Sequence, residues 1–263
     1  MKIHPSSIVE DGAILGEGVE IGPFCHVGNE VNLGNNVNLQ SHVVIVGKTN
    51  IGDNCRIFPF ASLGQEPQDL KFKGEITSLE IGDNCLIREG VTMNTGTEGG
   101  GSKTVVGNNC VFLANSHVAH DCILGNNIIL SNNVMLAGHC QLGDNVICGG
   151  GSAVHQFSRI GRNSFLGGLA GIEGDVIPFG MMRGSHGRLI GLNVIGMKRS
   201  GFERSSIKAA NAAFKLIFAG DHPIRDVAKQ IRETADDPLV IEILDFIDAA
   251  KDRQLCRPLP LKN

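Results

Sequence analysis

The 263 residues contain no tryptophan and no tyrosine, and aromatic residues of any kind make up only 5%. A core filled by large rings is excluded, so the hydrophobic 42% must be buried by something regular and rich in small residues. No apolar run approaches the length of a membrane span, and the opening MKIHPSS lacks the apolar stretch of a secretory signal, so the expected compartment is the cytoplasm. Net charge is only -4, from 23 basic and 27 acidic residues, which gives no reason to expect a nucleic-acid binder. No C-x-x-C pair accompanies the eight cysteines and no G-x-S-x-G elbow is present, which argues against a zinc ribbon, a redox motif and a hydrolase-type serine nucleophile.

What the chain does have is glycine, 35 residues, and a period. Aliphatic side chains recur every six positions at Ile3, Val9, Leu15, Ile21, Val27, Leu33, Leu39, Ile45, Ile51, Ile57 and Leu63. Four residues after most of them stands a small or β-branched residue, as at Ala13, Val19, Cys25, Val31 and Val37. The register returns at Ile81, Ile87 and Met93, slips by one, and runs from Val106 to Ile172. A period of six matches neither helix nor plain strand. It is the signature of a parallel β-helix in which three hexads close one triangular coil around one large and one small side chain per face. Cys25, Cys55, Cys85, Cys110, Cys122 and Cys140 fall on the small inward position and Cys148 on the large one, where reduced thiols act as small hydrophobes.

Two stretches leave the pattern, residues 64–80 and 96–104, and are expected to project as loops able to carry binding groups. The coil is expected over 1–191 and a helical domain over 192–263, with three helices near 198–219, 221–235 and 237–254. Asp221 and Asp237 look like N-caps, Pro238 like a first helical residue and Gly220 like a helix end. The helical region carries twelve basic against ten acidic residues, bunched at Lys198, Arg199, Arg204, Lys208 and Lys215, which reads either as a solvated face or as a dock for an acidic partner.

Four of the nine histidines lie close together in the coil order. With eighteen residues per coil, position n lies under n+18, about 4.8 Å away. His120 therefore lies under Gly138 and then Gln156, with His139 and His155 one residue to either side and His117 one turn earlier. Turn histidines bonded to neighbouring coils are one reading and a zinc site is another, although only Asp121 could add to the ligand set. General-base chemistry fits better, because a neutral imidazole can take a proton from a hydroxyl near pH 7. Asp121 could orient that imidazole only at a turn, since adjacent strand residues point apart.

The motifs HVAHDC at 117–122, LAGH at 136–139, AVHQF at 153–157, QDLKF at 68–72 and GLNVIGMKRSGF at 191–202 closely resemble the UDP-N-acetylglucosamine O-acyltransferases that begin lipid A biosynthesis. The resemblance covers essentially the whole chain. It implies a left-handed coil and a homotrimer with active sites between subunits, in the cytoplasm of a Gram-negative bacterium. The reaction implied moves a 3-hydroxyacyl group from acyl carrier protein to the sugar 3-position. It further implies His120 as general base, Asp121 as its partner and the Gly138 N–H as an oxyanion donor. Asp69, Lys71, His117, His139, His155, Gln156, Asn193 and Arg199 would bind substrates, with Gln68 and His186 as further candidates and Gly168 along the acyl groove, where it would set chain length. No metal or resident cofactor is implied; phosphopantetheine arrives on the carrier protein.

The chain departs from the usual pattern at Asn94, Ile195 and Ser200, where a histidine, an acidic residue and a second arginine are expected. A 3-amino sugar acceptor is therefore an alternative, since a neutral amine needs less base assistance, as is another hexapeptide sugar acyltransferase. The related N-acyltransferase is expected to carry an extra N-terminal domain, whereas hexads here begin at Ile3. An ice-binding solenoid would show outward threonine columns, and none is seen.

Overall fold

The structure is a computed structural model that describes residues 1–220, 222–250 and 253–258. It is a left-handed parallel β-helix followed by four helices. Short strands, most of two residues, fall on three sheets of eleven, nine and eight strands, and successive strands of one sheet come from successive coils. Pairing is parallel with a step of one coil, as in His117↔Met135 and Val118↔Leu136. Every hexad aliphatic from Ile21 through Ile172 named above lies at 4% exposure or less. The seven cysteines assigned to the interior are all buried and all free, so they fill space as expected.

The corners explain why small residues suffice. One residue at most corners adopts the left-handed backbone conformation, which asparagine tolerates better than most other side-chain-bearing residues. Along the corner that leads from the third sheet to the first, Asn36, Asn54, Asn84, Asn109, Asn127, Asn145 and Asn163 all have φ of 57–60°. The residues just before them form a ladder. Asn35, Asp53, Asp83, Asn108, Asn126 and Asp144 each accept the backbone N–H of the same corner one coil below, at 2.7–2.8 Å.

Both insertions are shorter than expected. Ser62–Gln65 and Ser78–Ile81 are strands, so the first excursion covers 66–77; Lys103–Val106 is also a strand, so the second covers 95–102. Residues 64–65, 78–80 and 103–104 stay in the ladder because leaving it early would strand backbone polar groups. Past Ile172 the hexads give way to an antiparallel hairpin of Gly180–Arg183 and Arg188–Leu192 that adds to the first sheet and closes the end of the coil.

Four helices follow instead of three: α1 (Val194–Arg199), α2 (Arg204–Ile217), α3 (Ile224–Arg232) and α4 (Pro238–Asp248). The expected first helix is two, because Gly201 turns the chain at φ +80° after α1. Asp237 caps α4 by accepting from Leu239 and Val240, with Pro238 at its first position. Pro223 is the residue before α3; Asp221 lies outside the described residues. The chain after α4 runs back along the coil, where Cys256 donates its N–H to the Asp175 carbonyl. Buried Asp175 pairs with Arg159 and Arg253, and Arg162 pairs with Glu242, so five charged side chains of coil and tail lock the two parts together.

Candidate active site

The second-to-third corner is where the histidines converge. His120 and Asp121 occupy a turn and Asp121 has φ 60°, so neighbouring side chains can meet: His120 Nδ1 lies 2.8 Å from Asp121 Oδ2. The Asp121 side chain is fully buried. Its Oδ1 accepts the Thr97 N–H at 2.8 Å and its Oδ2 the Thr97 hydroxyl at 2.6 Å, while its own N–H donates to Thr104 Oγ1 at 2.8 Å. Buried charge is tolerated here because every carboxylate oxygen has a donor.

One coil up, Gly138 lies flat against the His120 ring. A Cβ added there would sit 2.5 Å from Cε1 and 2.7 Å from Nε2, so only glycine allows this approach. Its N–H donates to no acceptor among the described residues. His139, next along at φ 62°, packs its ring edge-on to His120 at 5.0 Å and stacks on Phe157 at 4.3 Å and 8°.

The loop 66–77 brings Asp69 and Lys71 to the same place. With Phe72, Glu75, Thr97, Glu98, Gly99, His139 and Phe157 they line a cavity of about 280 Å³. Asn94 ties down the foot of this loop, its Nδ2 donating to the Glu66 carbonyl at 2.8 Å. His117 Nδ1 lies 2.7 Å from Thr92 Oγ1, and burial, followed by the neighbouring His120, holds its imidazole below the ordinary range. Burial also lowers His139, offset in part by Asp121 and Asp69. Ligand atoms of His120, Asp121 and His139 lie within 4.8 Å of one another, yet both Asp121 oxygens are already engaged by Thr97 and His120.

Of the candidates read from the sequence, Asp69, Lys71, His120, Asp121, Gly138 and His139 come together. His155 and Gln156 are exposed one coil above Gly138 and His139, and Gln68 is exposed on the loop. Asn193, Arg199, His186 and Gly168 do not line this cavity. Asn193 caps α1 through Oδ1 and donates from Nδ2 to the Asn163 carbonyl. Arg199 is exposed at the end of α1, with Ile195 exposed on the same helix and Ser200 accepting from Asn163. His186 sits in the hairpin turn beside Glu173 and Gln254, and Gly168 is exposed at the neighbouring corner. Thr97, Thr104 and Phe157 were not singled out by sequence. Residues 96–104 were expected to project, whereas Thr97 is buried against Asp121; the signal was the glycine run 99–101, which lets the loop lie close.

A family model described as UDP N-acetylglucosamine O-acyltransferase, domain 2, matches residues 175–256, and the bacterial transferase hexapeptide model matches 12–47 and 103–138. The chain is 61% identical over 257 residues to the acyl-[acyl-carrier-protein]–UDP-N-acetylglucosamine O-acyltransferase of Methylobacterium radiotolerans, covering 97% of this chain and 94% of the relative. It is 58% identical over 258 residues to the enzyme of that name from Sinorhizobium fredii, covering 98% and 96%. A crystal structure of a UDP-N-acetylglucosamine acyltransferase superimposes with a TM-score of 0.94 at 40% identity, over 99% of this chain and 100% of that one.

Proposed function

The chain belongs to the acyl-[acyl-carrier-protein]–UDP-N-acetylglucosamine O-acyltransferases, and we propose that it moves a 3-hydroxyacyl group from the carrier protein to the 3-hydroxyl of UDP-N-acetylglucosamine with His120 as base, opening lipid A biosynthesis. It is an acyltransferase dependent on acyl carrier protein. The observation that carries the residue assignment is the buried Asp121–His120 pair facing Gly138. Asp121 holds the Nδ1–H, which leaves Nε2 as the basic atom. Nε2 takes the sugar hydroxyl proton as that oxygen attacks the thioester carbonyl. The Gly138 N–H stabilises the oxyanion, the C–S bond breaks, and the imidazolium returns its proton to the departing phosphopantetheine thiolate. No resident cofactor or metal enters this scheme; phosphopantetheine comes and goes with the carrier protein.

The working unit is a trimer in this reading. The outward row Leu86, Val111, Ile129, Ile147, Phe165 and Met181 is in register over six coils of the first sheet and only half buried. At about 4.8 Å per coil this is an apolar stripe roughly 24 Å long, which a second copy would cover. Closing three copies would bring Gly168, Asn193, Arg199 and His186 of one chain toward the cavity of another. Lys198, Arg199, Arg204, Lys208 and Lys215 are exposed and suit an acidic carrier protein. No helix among the described residues is long and apolar enough to cross a membrane, and the proposed compartment is the cytoplasm.

An acyl-transfer assay crossing carrier-protein thioesters of different length with 3-hydroxy and 3-amino sugar nucleotides tests this reading. Preference for the hydroxyl sugar, unchanged in Asn94→His, is the expected result. Preference for the amino sugar would overturn it.

A further inference from the structure

We propose that Thr97 is a positioning residue that fixes the Asp121 carboxylate for His120; this rests on the assignment of His120 and Asp121 above. Thr97 grips the carboxylate at both ends. Its N–H meets Oδ1 at 2.8 Å and its hydroxyl meets Oδ2 at 2.6 Å, the same oxygen that faces His120 Nδ1 at 2.8 Å. Two donors from one residue define the carboxylate plane, so the remaining lone pair of Oδ2 points at the imidazole. Without the hydroxyl, Oδ2 keeps His120 at 2.8 Å and the more distant His139 Nδ1 at 3.7 Å, and the carboxylate can turn about its last bond.

The surroundings are built for this grip. Gly100 packs so closely that a Cβ there would lie 2.0 Å from Asp121 Cγ. Thr97 itself is buried at 8% exposure and Asp121 at 4%, in a region where a charge-assisted hydrogen bond is strong and an unmatched acceptor is costly. Glu98 and Gly99, the next two residues, line the cavity with Asp69, Lys71 and His139. One short loop therefore joins the cavity wall to the partner of the base. Thr97 touches no reacting atom in this scheme; it acts through Asp121.

The test is steady-state acyl transfer by the full chain in four variants. Thr97→Val keeps the branched shape and the N–H but loses the hydroxyl donor. It is expected to lower kcat about tenfold with KM for both substrates within about twofold, and Thr97→Ser, which restores the donor, is expected to recover most of the loss. Because Thr97 works through Asp121, Thr97→Val added to Asp121→Asn should slow the enzyme no further than Asp121→Asn alone. Wild-type kcat in folded Thr97→Val, a Thr97→Ser enzyme as slow as Thr97→Val, or multiplying losses in the double variant would each overturn the proposal. If Thr97→Val does not fold by circular dichroism, Thr97→Ala takes its place under the same criteria. An Asp121→Asn enzyme with full activity would instead overturn the assigned pair, and Thr97 with it; loss in Asp121→Asn with none in Thr97→Val would overturn Thr97 alone.

Discussion

Two corners of the same coil use one backbone conformation for opposite ends. At the third-to-first corner the left-handed residues from Asn36 to Asn163 are all asparagine, and the residues beside them form a ladder to the backbone of the coil below. At the second-to-third corner the left-handed positions hold Asp121, His139 and Phe157, with φ of 60–65°. Asparagine stands where geometry is the only demand, because its short amide suits that conformation. Aspartate tolerates the conformation as asparagine does, whereas a bulkier ring such as that of Phe157 carries a cost of order 1–3 kcal/mol, and here the rings sit where the catalytic chemistry is proposed. The contrast is specific to these two corners: at the remaining corner Phe24, His42, Phe60 and Leu169 take the same conformation away from the cavity, so a residue other than asparagine does not by itself mark a site.

The comparison is broken most severely by removing the proposed base. His120→Ala should cut turnover by about a hundredfold or more while substrate KM and thermal unfolding stay near wild type, because a base acts on the transition state. Kinetics on the folded variant decide it, and near-normal turnover would refute the assignment. Converting the second corner toward the first is gentler. His139→Asn fits the left-handed conformation, so the melting temperature should hold or rise slightly, while loss of the ring against His120 and Phe157 should lower kcat/KM about tenfold. A parallel measurement of melting and rate would show whether the two corners trade stability for activity in this way.

The reverse change belongs to the first corner. Asn127→Ala should cost about 1 kcal/mol of stability and leave kcat/KM within about twofold, read by denaturant unfolding and by rate. The smallest effect is with pH. Burial lowers the His117 pKa, so below the ordinary value of about 6.5 the unfolded chain binds more protons than the folded one. Stability is then held above pH 6.5 and lost as pH falls through that value toward the lowered folded one. Melting curves between pH 5 and 8 should show this slope reduced in His117→Gln and unchanged in Asn127→Ala.

The residues themselves show why some features were legible. Ile21, Val27 and Leu33 point inward because the period places them there, and Cys55 or Cys110 fits the small site for the same reason. His120 could be placed under Gly138 in advance because stacking at eighteen residues is arithmetic, whereas its pairing with adjacent Asp121 depended on a turn. The loops were harder. Residues 64–65 and 78–80 look irregular but stay in the ladder, and Thr97 reads as a polar loop residue until the chain folds over Asp121. Gly201 divides a run that composition alone reads as one helix.

The sequence by itself determined the coil, because a six-residue period fixes which side chains face inward wherever the repeat holds, and it determined which histidines share a rim. Only the tertiary structure decided that Thr97 holds Asp121, that Asn94 ties the foot of the loop, and that Asn193 caps α1. Those contacts join residues outside the repeat, so no period encodes them. They depend on how far an irregular segment can bend before its backbone groups must find partners.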